Sequence, residues 1–362
     1  MESTNVGTNY LEQLLRYSHE YKATDLHLCV GSKPLIRVNG SLKPAESSEP
    51  LKNDIINAIV NEVLDEKRKA RLEADRVIDF SFSKSGLGRF RANIYSQRGT
   101  YAIAIRMLPF EIPQLNSLGL PASIKNFTTK SKGLFLVTGA TGSGKSTTLA
   151  SVINHINEQN SYHIITIEDP IEYLHKHKKG LMTQREIGED ASSFAFALRA
   201  ALREDPDVIM VGEMRDPETI SIALTAAETG HLVLSTLHTV GAAKSIDRII
   251  DAFPPAQQNQ IRSQLATVLE GVVSQQLIPR IDKPGMVVAC ELMFVTPAVR
   301  NLIREGKHYQ VNSTIQTGQS QGMQLMEFDL ARFCNQGCIS MEETVLRAQD
   351  LQLLQQFLSR RV

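Results

Sequence analysis

The sequence predicts two α/β domains, the first built on an antiparallel sheet and the second on a parallel one. Between residues 76 and 108 three runs alternate apolar and polar positions, and between 134 and 238 short apolar runs alternate with helical patterns. A stretch carrying Pro109, Pro113 and Pro121 separates the two regions. Period-two alternation marks half-buried strands, whereas strands separated by helices need crossover connections and therefore pair in parallel.

The elements follow in order. Tyr10 to Tyr21 places Leu11, Leu14, Leu15 and Ser18 at helical spacing. DLHLCVG (Asp25 to Gly31) and PLIRVNG (Pro34 to Gly40) read as strands, the second ending in an Asn39-Gly40 hairpin turn. A polar helix is expected over Lys52 to Glu73. RVIDFSFS from Arg76, GRFRANIY from Gly88 and TYAIAIRML from Thr100 then suit one antiparallel sheet. The prolines after Arg106 oppose regular structure, so the boundary falls there: a domain over 1–106 and a linker over 107–121. Beyond it come GLFLVTG, STTLASVINHINEQ, HIITIEDP, FAFALRAALRED, VIMVGE, TISIALTAAETG and HLVLSTLH, strand and helix in turn. The expected core spans 122–295 and a helical region 296–362. In its tail, from Ser340, MEETVLRAQDLQLLQQFLSRR reads as one helix with Ser340 and Glu343 forming a capping box.

Length and charge exclude several classes. At roughly 100–200 residues per domain, 362 residues fit two domains. Lys plus Arg total 39 and Asp plus Glu 39, so no global field draws the chain to a phosphate polymer, and nucleic acid is not the expected partner. No apolar run reaches the roughly 18 residues of a membrane span, and the first twenty residues lack a secretory signal pattern. These features point to the cytoplasm. Cys334 and Cys338 alone do not make the four-ligand set that zinc wants, so they read as structural.

The chemistry sits at strand ends. Gly139, Ala140, Thr141, Gly142, Ser143, Gly144, Lys145 and Ser146 match the P-loop pattern, after a strand over Leu134 to Thr138 and before a helix from Thr147. Glycines let the backbone amides converge on phosphate oxygens, Lys145 adds a point charge, and Ser146 offers a hydroxyl to Mg²⁺. Ligands of open parallel sheets bind at the C-terminal edge, where two further strands end in Glu168 and in Gly212-Glu213. Asp207 precedes its strand and lies at the far edge, so Glu213 is the Walker B-like acid. His231 and His238 bracket the strand Leu232 to Ser235. About 23 Å of extended chain separates them, too far to share a metal ion. His238 falls past the C-terminal end, where it could sense a γ-phosphate or meet a neighbouring subunit; His231 reads as packed or interfacial.

GATGSGKST, TIEDPIEYLH, ALREDPDVIMVGEMRDPET and LTAAETGHLVLSTLHT, in that order, resemble the Walker A, Asp box, Walker B and His box of the type II/type IV secretion ATPase superfamily. The early DLHL and LIRVNG are similar to its PAS-like N-terminal domain. The resemblance implies a PAS-like α/β domain joined to a RecA-like P-loop NTPase domain with a helical C-terminal extension. It also distinguishes branches. Neither an additional N-terminal domain nor a four-cysteine zinc insertion after the His box is present, and PAVRNLIREGK (Pro297 to Lys307) is similar to the AIRNLIRE segment of PilT-type pilus-retraction ATPases. Read by itself, that segment has Thr296 as N-cap, Pro297 at the first turn, Gly306 at the stop, and an apolar stripe of Val299, Leu302 and Ile303. Arg300, Asn301, Arg304 and Glu305 make up the rest, with Arg300, Arg304 and Glu305 available to a partner. Departures are small: Ala140, Pro217, Gly241 and Val299 replace commoner residues.

The resemblance implies a hexameric Mg²⁺-dependent ATPase that depolymerises a pilus at the cytoplasmic face of the inner membrane. Its partners would be copies of itself, a membrane platform protein and a pilus-assembly ATPase. In it Lys145 would meet the β- and γ-phosphates, Ser146 the Mg²⁺, and Glu213 the attacking water and, through water, the metal. Glu168 would support metal or water, and the roles of the two glutamates are exchangeable on sequence alone. Positive charge from another surface would complete the site. Arg89 and Arg91 share one strand face and are candidates, with Arg106, Arg199 and Arg203 as others. A type IV secretion or conjugation ATPase, an accessory retraction paralogue, a non-hydrolysing nucleotide-gated scaffold and a DNA motor are the competing readings.

Overall fold

The alternating runs of the N-terminal half do become strands. The computed structural model describes residues 3–45, 49–109 and 111–359, with side chains from Tyr10 onward. The chain divides into two compact units, one of residues 1–111 with 172–174, the other of 112–171 with 175–362.

In the first unit β1 (Asp25–Cys29), β2 (Leu35–Val38), β3 (Ser41–Pro44), β4 (Val77–Lys84), β5 (Gly88–Gln97) and β6 (Thr100–Met107) form a sheet of order β3-β2-β1-β6-β5-β4. Every pairing is antiparallel. Asn39 and Gly40 take φ of 50° and 80°, the left-handed pair that a two-residue hairpin turn requires. One face is buried. Leu26, Leu28, Ile36, Phe80, Phe90, Ile94, Ile103 and Ile105 meet Leu11, Leu14 and Leu15 of α1 (Ser3–Glu20) and residues of two further helices. Ser18 shares the buried stripe by donating its hydroxyl to the Leu14 carbonyl.

The single helix expected over Lys52 to Glu73 is two, α2 (Asn53–Val63) and α3 (Glu66–Asp75). Leu64 is buried in extended backbone, and Asp65 starts the second helix by accepting from the Arg68 amide at 2.8 Å. Aspartate competes better as a cap than as an interior residue, and burying Leu64 fixes the bend. Arg76 adopts left-handed backbone (φ 62°) at the end of α3, so the strand begins at Val77.

The second unit contains α4 (Lys125–Thr128), β7 (Gly133–Thr138), α5 (Lys145–Gln159), β8 (His163–Glu168), β9 (Leu181–Glu186), α6 (Phe194–Ala201), β10 (Val208–Val211), α7 (Pro217–Glu228) and β11 (Leu232–Leu237). They are followed by α8 (Ala242–Asp251), α9 (Pro255–Val268), β12 (Leu269–Pro279) and β13 (Met286–Phe294). The sheet order is β13-β12-β7-β11-β10-β8-β9. All neighbours are parallel except β12 and β13, so the expected parallel sheet carries one antiparallel edge strand. β9 was not expected, since LMTQRE holds too few apolar positions to read as a strand.

Both faces of the central strands are covered, as parallel sheets require. Phe135, Val137, Ile164 and Leu234 pack against Leu149, Val152, Ile153 and Ile156 of α5. Leu134, Leu136, Ile165, Ile209 and Val233 face the opposite way, towards α6 to α9. Past β13 the chain is helical: α10 (Pro297–Arg304), α11 (Val311–Thr317), α12 (Met326–Asn335), α13 (Met341–Arg347) and α14 (Leu351–Ser359).

The tail expected as one helix is thus broken at Ala348 to Asp350, where Glu327 accepts from the Gln349 and Asp350 amides at 2.9 and 3.0 Å. Ser340 caps α13 by accepting from the Glu343 amide, but the Glu343 carboxylate turns to Arg347, so only half of the capping box forms. Arg360 and Arg361 of that expected helix, and Phe110 of the expected linker, lie outside the described residues. Among the described residues no helix is long and apolar enough to cross a membrane.

Candidate active site

β7 delivers the glycine-rich loop to the sheet edge, and α5 leaves from it. Gly139, Gly142 and Gly144 take φ of 142°, 78° and 90°, backbone that other residues adopt only at a cost. At Gly139 space is excluded too: a Cβ there would lie 2.4 Å from the Gln275 carbonyl oxygen and 2.5 Å from Ser143 Oγ. Ala140, Thr141 and Gly142 are exposed at the rim, while Ser146 and Thr147 are half-buried in the first turn of α5. Lys145 is buried and its Nζ donates to the Gly139 and Ala140 carbonyls, 2.9 Å each. The Ser143 and Thr138 hydroxyl oxygens are buried with no hydrogen-bond partner among the described residues. A cradle of amides, a cation and orphaned hydroxyls fits a polyphosphate.

Register brings the acids to the same edge. Thr138 pairs with Leu237, Ser235 with Val211, and Val211 with Ile167, so the ends of β7, β11 and β10, followed by Gly139, His238 and Gly212, lie at the same edge as Glu168, the last residue of β8. The Thr236 hydroxyl donates to the Gly212 carbonyl at 2.6 Å, and the Gly212 amide to the Ile167 carbonyl at 2.8 Å, fixing the turn that presents Glu213. Glu168 is buried, its Oε1 accepting from the Thr166 hydroxyl (2.7 Å) and Gln184 Nε2 (3.2 Å). Glu213 stands more open. Its Oε1 lies 2.7 Å from Arg215 Nε and its Oε2 3.5 Å from His238 Nε2. Ser146 supplies a hydroxyl and Glu213 a carboxylate at this edge, hard oxygen donors of the kind Mg²⁺ takes.

The remaining expected residues lie elsewhere. His231 is at the opposite end of β11, its Nδ1 3.0 Å from the Ala226 carbonyl oxygen, and Asp207 accepts from the His163 amide at 2.8 Å at that same far edge. Arg199 is ion-paired with Glu218, and Arg203 is exposed beyond α6. Arg89, Arg91 and Arg106 belong to the first unit. Arg91 and Arg106 are cross-strand neighbours, the former 3.9 Å from Asp79 and the latter 3.0 Å from Asp25.

Thr296 caps α10 by accepting from the Val299 amide, and Gly306 (φ 70°) closes it. Val299 and Ile303 are buried and Leu302 half-buried. Arg300, expected to be available to a partner, lies 3.8 Å from Glu270, and Glu305 accepts from Asn301 and binds Lys307; Arg304 is exposed.

Sequence reasoning missed Arg215 and Gln275. Arg215 is two positions beyond Glu213 on the same turn. Gln275, whose Nε2 donates to Thr148 Oγ1 at 2.9 Å beneath the loop, is signalled by the polar run Ser274-Gln275-Gln276 between the apolar ends of the strand.

The model of the family Type II/IV secretion system protein matches residues 4–356 of this chain. The chain belongs to this family of P-loop ATPases. It is 46% identical to the type IV pilus retractation ATPase PilT of Pseudomonas aeruginosa over 92% of this chain and 96% of that one. The type IV pilus ATPase PilU of the same organism is 38% identical over 95% and 90%. A crystal structure of the pilus retraction motor PilT with bound ADP superimposes with a TM-score of 0.90 at 48% identity, covering 95% of this chain and 98% of that one. A family relative that holds ADP is consistent with nucleotide at the cradle described above.

Proposed function

We propose that this protein is a Mg²⁺-dependent ATPase that powers pilus retraction as a homohexamer on the cytoplasmic face of the inner membrane. What carries the reading is the P-loop beside Glu213 at one sheet edge, in a chain so similar to PilT over nearly its whole length. Lys145, whose charge rests on the Gly139 and Ala140 carbonyls, binds the β- and γ-phosphates. Ser146, with Glu213 through water, would hold Mg²⁺, which supplies charge neutralisation at the phosphates. Glu213 orients and deprotonates the attacking water, because it is the more open of the two glutamates. Glu168, already accepting from Thr166 and Gln184, supports the edge. Arg89 and Arg91 of a neighbouring copy supply positive charge to the transition state. The partners are a membrane platform protein and a pilus-assembly ATPase.

Lys145→Ala should abolish nucleotide binding, whereas Glu213→Gln should keep it and lose turnover by about 10²- to 10³-fold. Deleting the gene should leave cells piliated but unable to retract. Bald cells would point to assembly and overturn the retraction reading.

A further inference from the structure

Within the ATPase reading, on which this inference rests, the Glu213 carboxylate has two unlike neighbours. Arg215 Nε lies 2.7 Å from Oε1, a close ion pair, while His238 Nε2 stands 3.5 Å from Oε2. One oxygen is held close to a cation and the other is not. We propose that Arg215 is the positioning residue of the hydrolytic glutamate, fixing Oε1 so that Oε2 takes the proton of the attacking water.

The backbone around Arg215 is built for this. Met214, between the two charged residues, is buried in the core, and its amide lies 3.4 Å from the Thr236 carbonyl oxygen. Asp216, immediately after, caps α7 by accepting from the Thr219 amide (2.8 Å) and hydroxyl (2.7 Å), and Pro217 opens that helix. With Met214 turned inward, Glu213 and Arg215 both face outward from a turn held at each end. The Arg215 side chain is 73% exposed, so no core packing depends on it. Lysine could supply the charge but not the fixed planar geometry, so it should replace arginine only in part.

The test is steady-state ATP turnover by the full-length protein, with binding of a fluorescent ADP analogue measured in parallel, for parent, Glu213→Gln, Arg215→Gln, Arg215→Lys and the double variant Glu213→Gln/Arg215→Gln. Arg215→Gln should lower kcat by about 10-fold with KM little changed, by analogy with the loss of an orienting partner elsewhere. Arg215→Lys should recover part of the rate, and analogue binding should stay at the parent level throughout. Because Arg215 acts through Glu213, the double variant should turn over no more slowly than Glu213→Gln alone. Parent-level kcat in Arg215→Gln, a rise in KM alone, loss of analogue binding, or an additive loss in the double variant would each overturn the proposal. An inactive parent would instead overturn the ATPase assignment on which it stands, and an unaffected Glu213→Gln would overturn the role of Glu213 as the hydrolytic glutamate.

Discussion

Glu291 is buried within the second unit, its Oε1 accepting from the Ala242 amide at 2.7 Å, on the wall of a cavity of about 410 Å³ that Glu327 also lines. Burial pushes its carboxyl up to about 7, with the neighbouring Glu327 adding to the rise and the Ala242 amide opposing it. An ordinary glutamate titrates near 4.5, so between the two values the folded chain holds a proton that the unfolded chain has released. The stability contributed by this group is therefore full below 4.5 and is lost as pH rises through about 7. Glu291→Gln keeps an acceptor for the amide and cannot titrate. Its melting temperature should fall less than the parent's between pH ~5 and ~8, as read by scanning calorimetry on both proteins; parallel curves would contradict the assignment. Some residues were legible because their reasons are local. Gly139, Gly142 and Gly144 sit where φ is positive, a demand that the loop's own sequence announces. Arg215 and Gln275 were not, because their value lies in what another strand or turn brings beside them.

Several helices begin where the sequence supplies a cap. Asp65, Asp216, Thr296 and Ser340 each accept from the amide three residues on. Thr296→Ala should cost about 1 kcal/mol, visible as a lower melting temperature, with nucleotide binding unchanged. The split of the expected tail helix has a cause that no local pattern carries. Glu327, on α12, offers one oxygen to two amides of the break before α14. Glu327→Ala should leave those donors unmet at a cost on the order of 2 kcal/mol and speed proteolysis of the tail; unchanged protection would show that packing of Leu354 and Phe357 holds it alone. The polar strand β9 escaped notice for the converse reason, since backbone pairing to β8 maintains it rather than an apolar run.

For the whole molecule, the reading as a motor requires a second copy. Arg89 and Arg91 share the face of β5 opposite Phe90 and Ala92. If they serve a neighbour's nucleotide, replacing both with alanine should lower turnover about 10-fold or more while each copy still binds ADP, and mixing this variant with Glu213→Gln should restore part of the rate. Unchanged turnover would remove them from the mechanism. The balance of 39 acidic against 39 basic residues supplies no global field towards a polyanion track but does not forbid such local pairing. By itself the sequence determined what repeats or is contiguous: two α/β textures, a glycine loop between strand and helix, acids at strand tips, helix caps. Only the tertiary structure decided the strand order, the antiparallel edge of the second sheet, the broken helices and the partners of Glu213. The physical reason is distance along the chain. Periodicity and propensity act over a few residues, whereas a ladder that sets Gly139 beside His238, or a carboxylate that clamps a tail, is chosen by burial and pairing between segments that no local pattern relates.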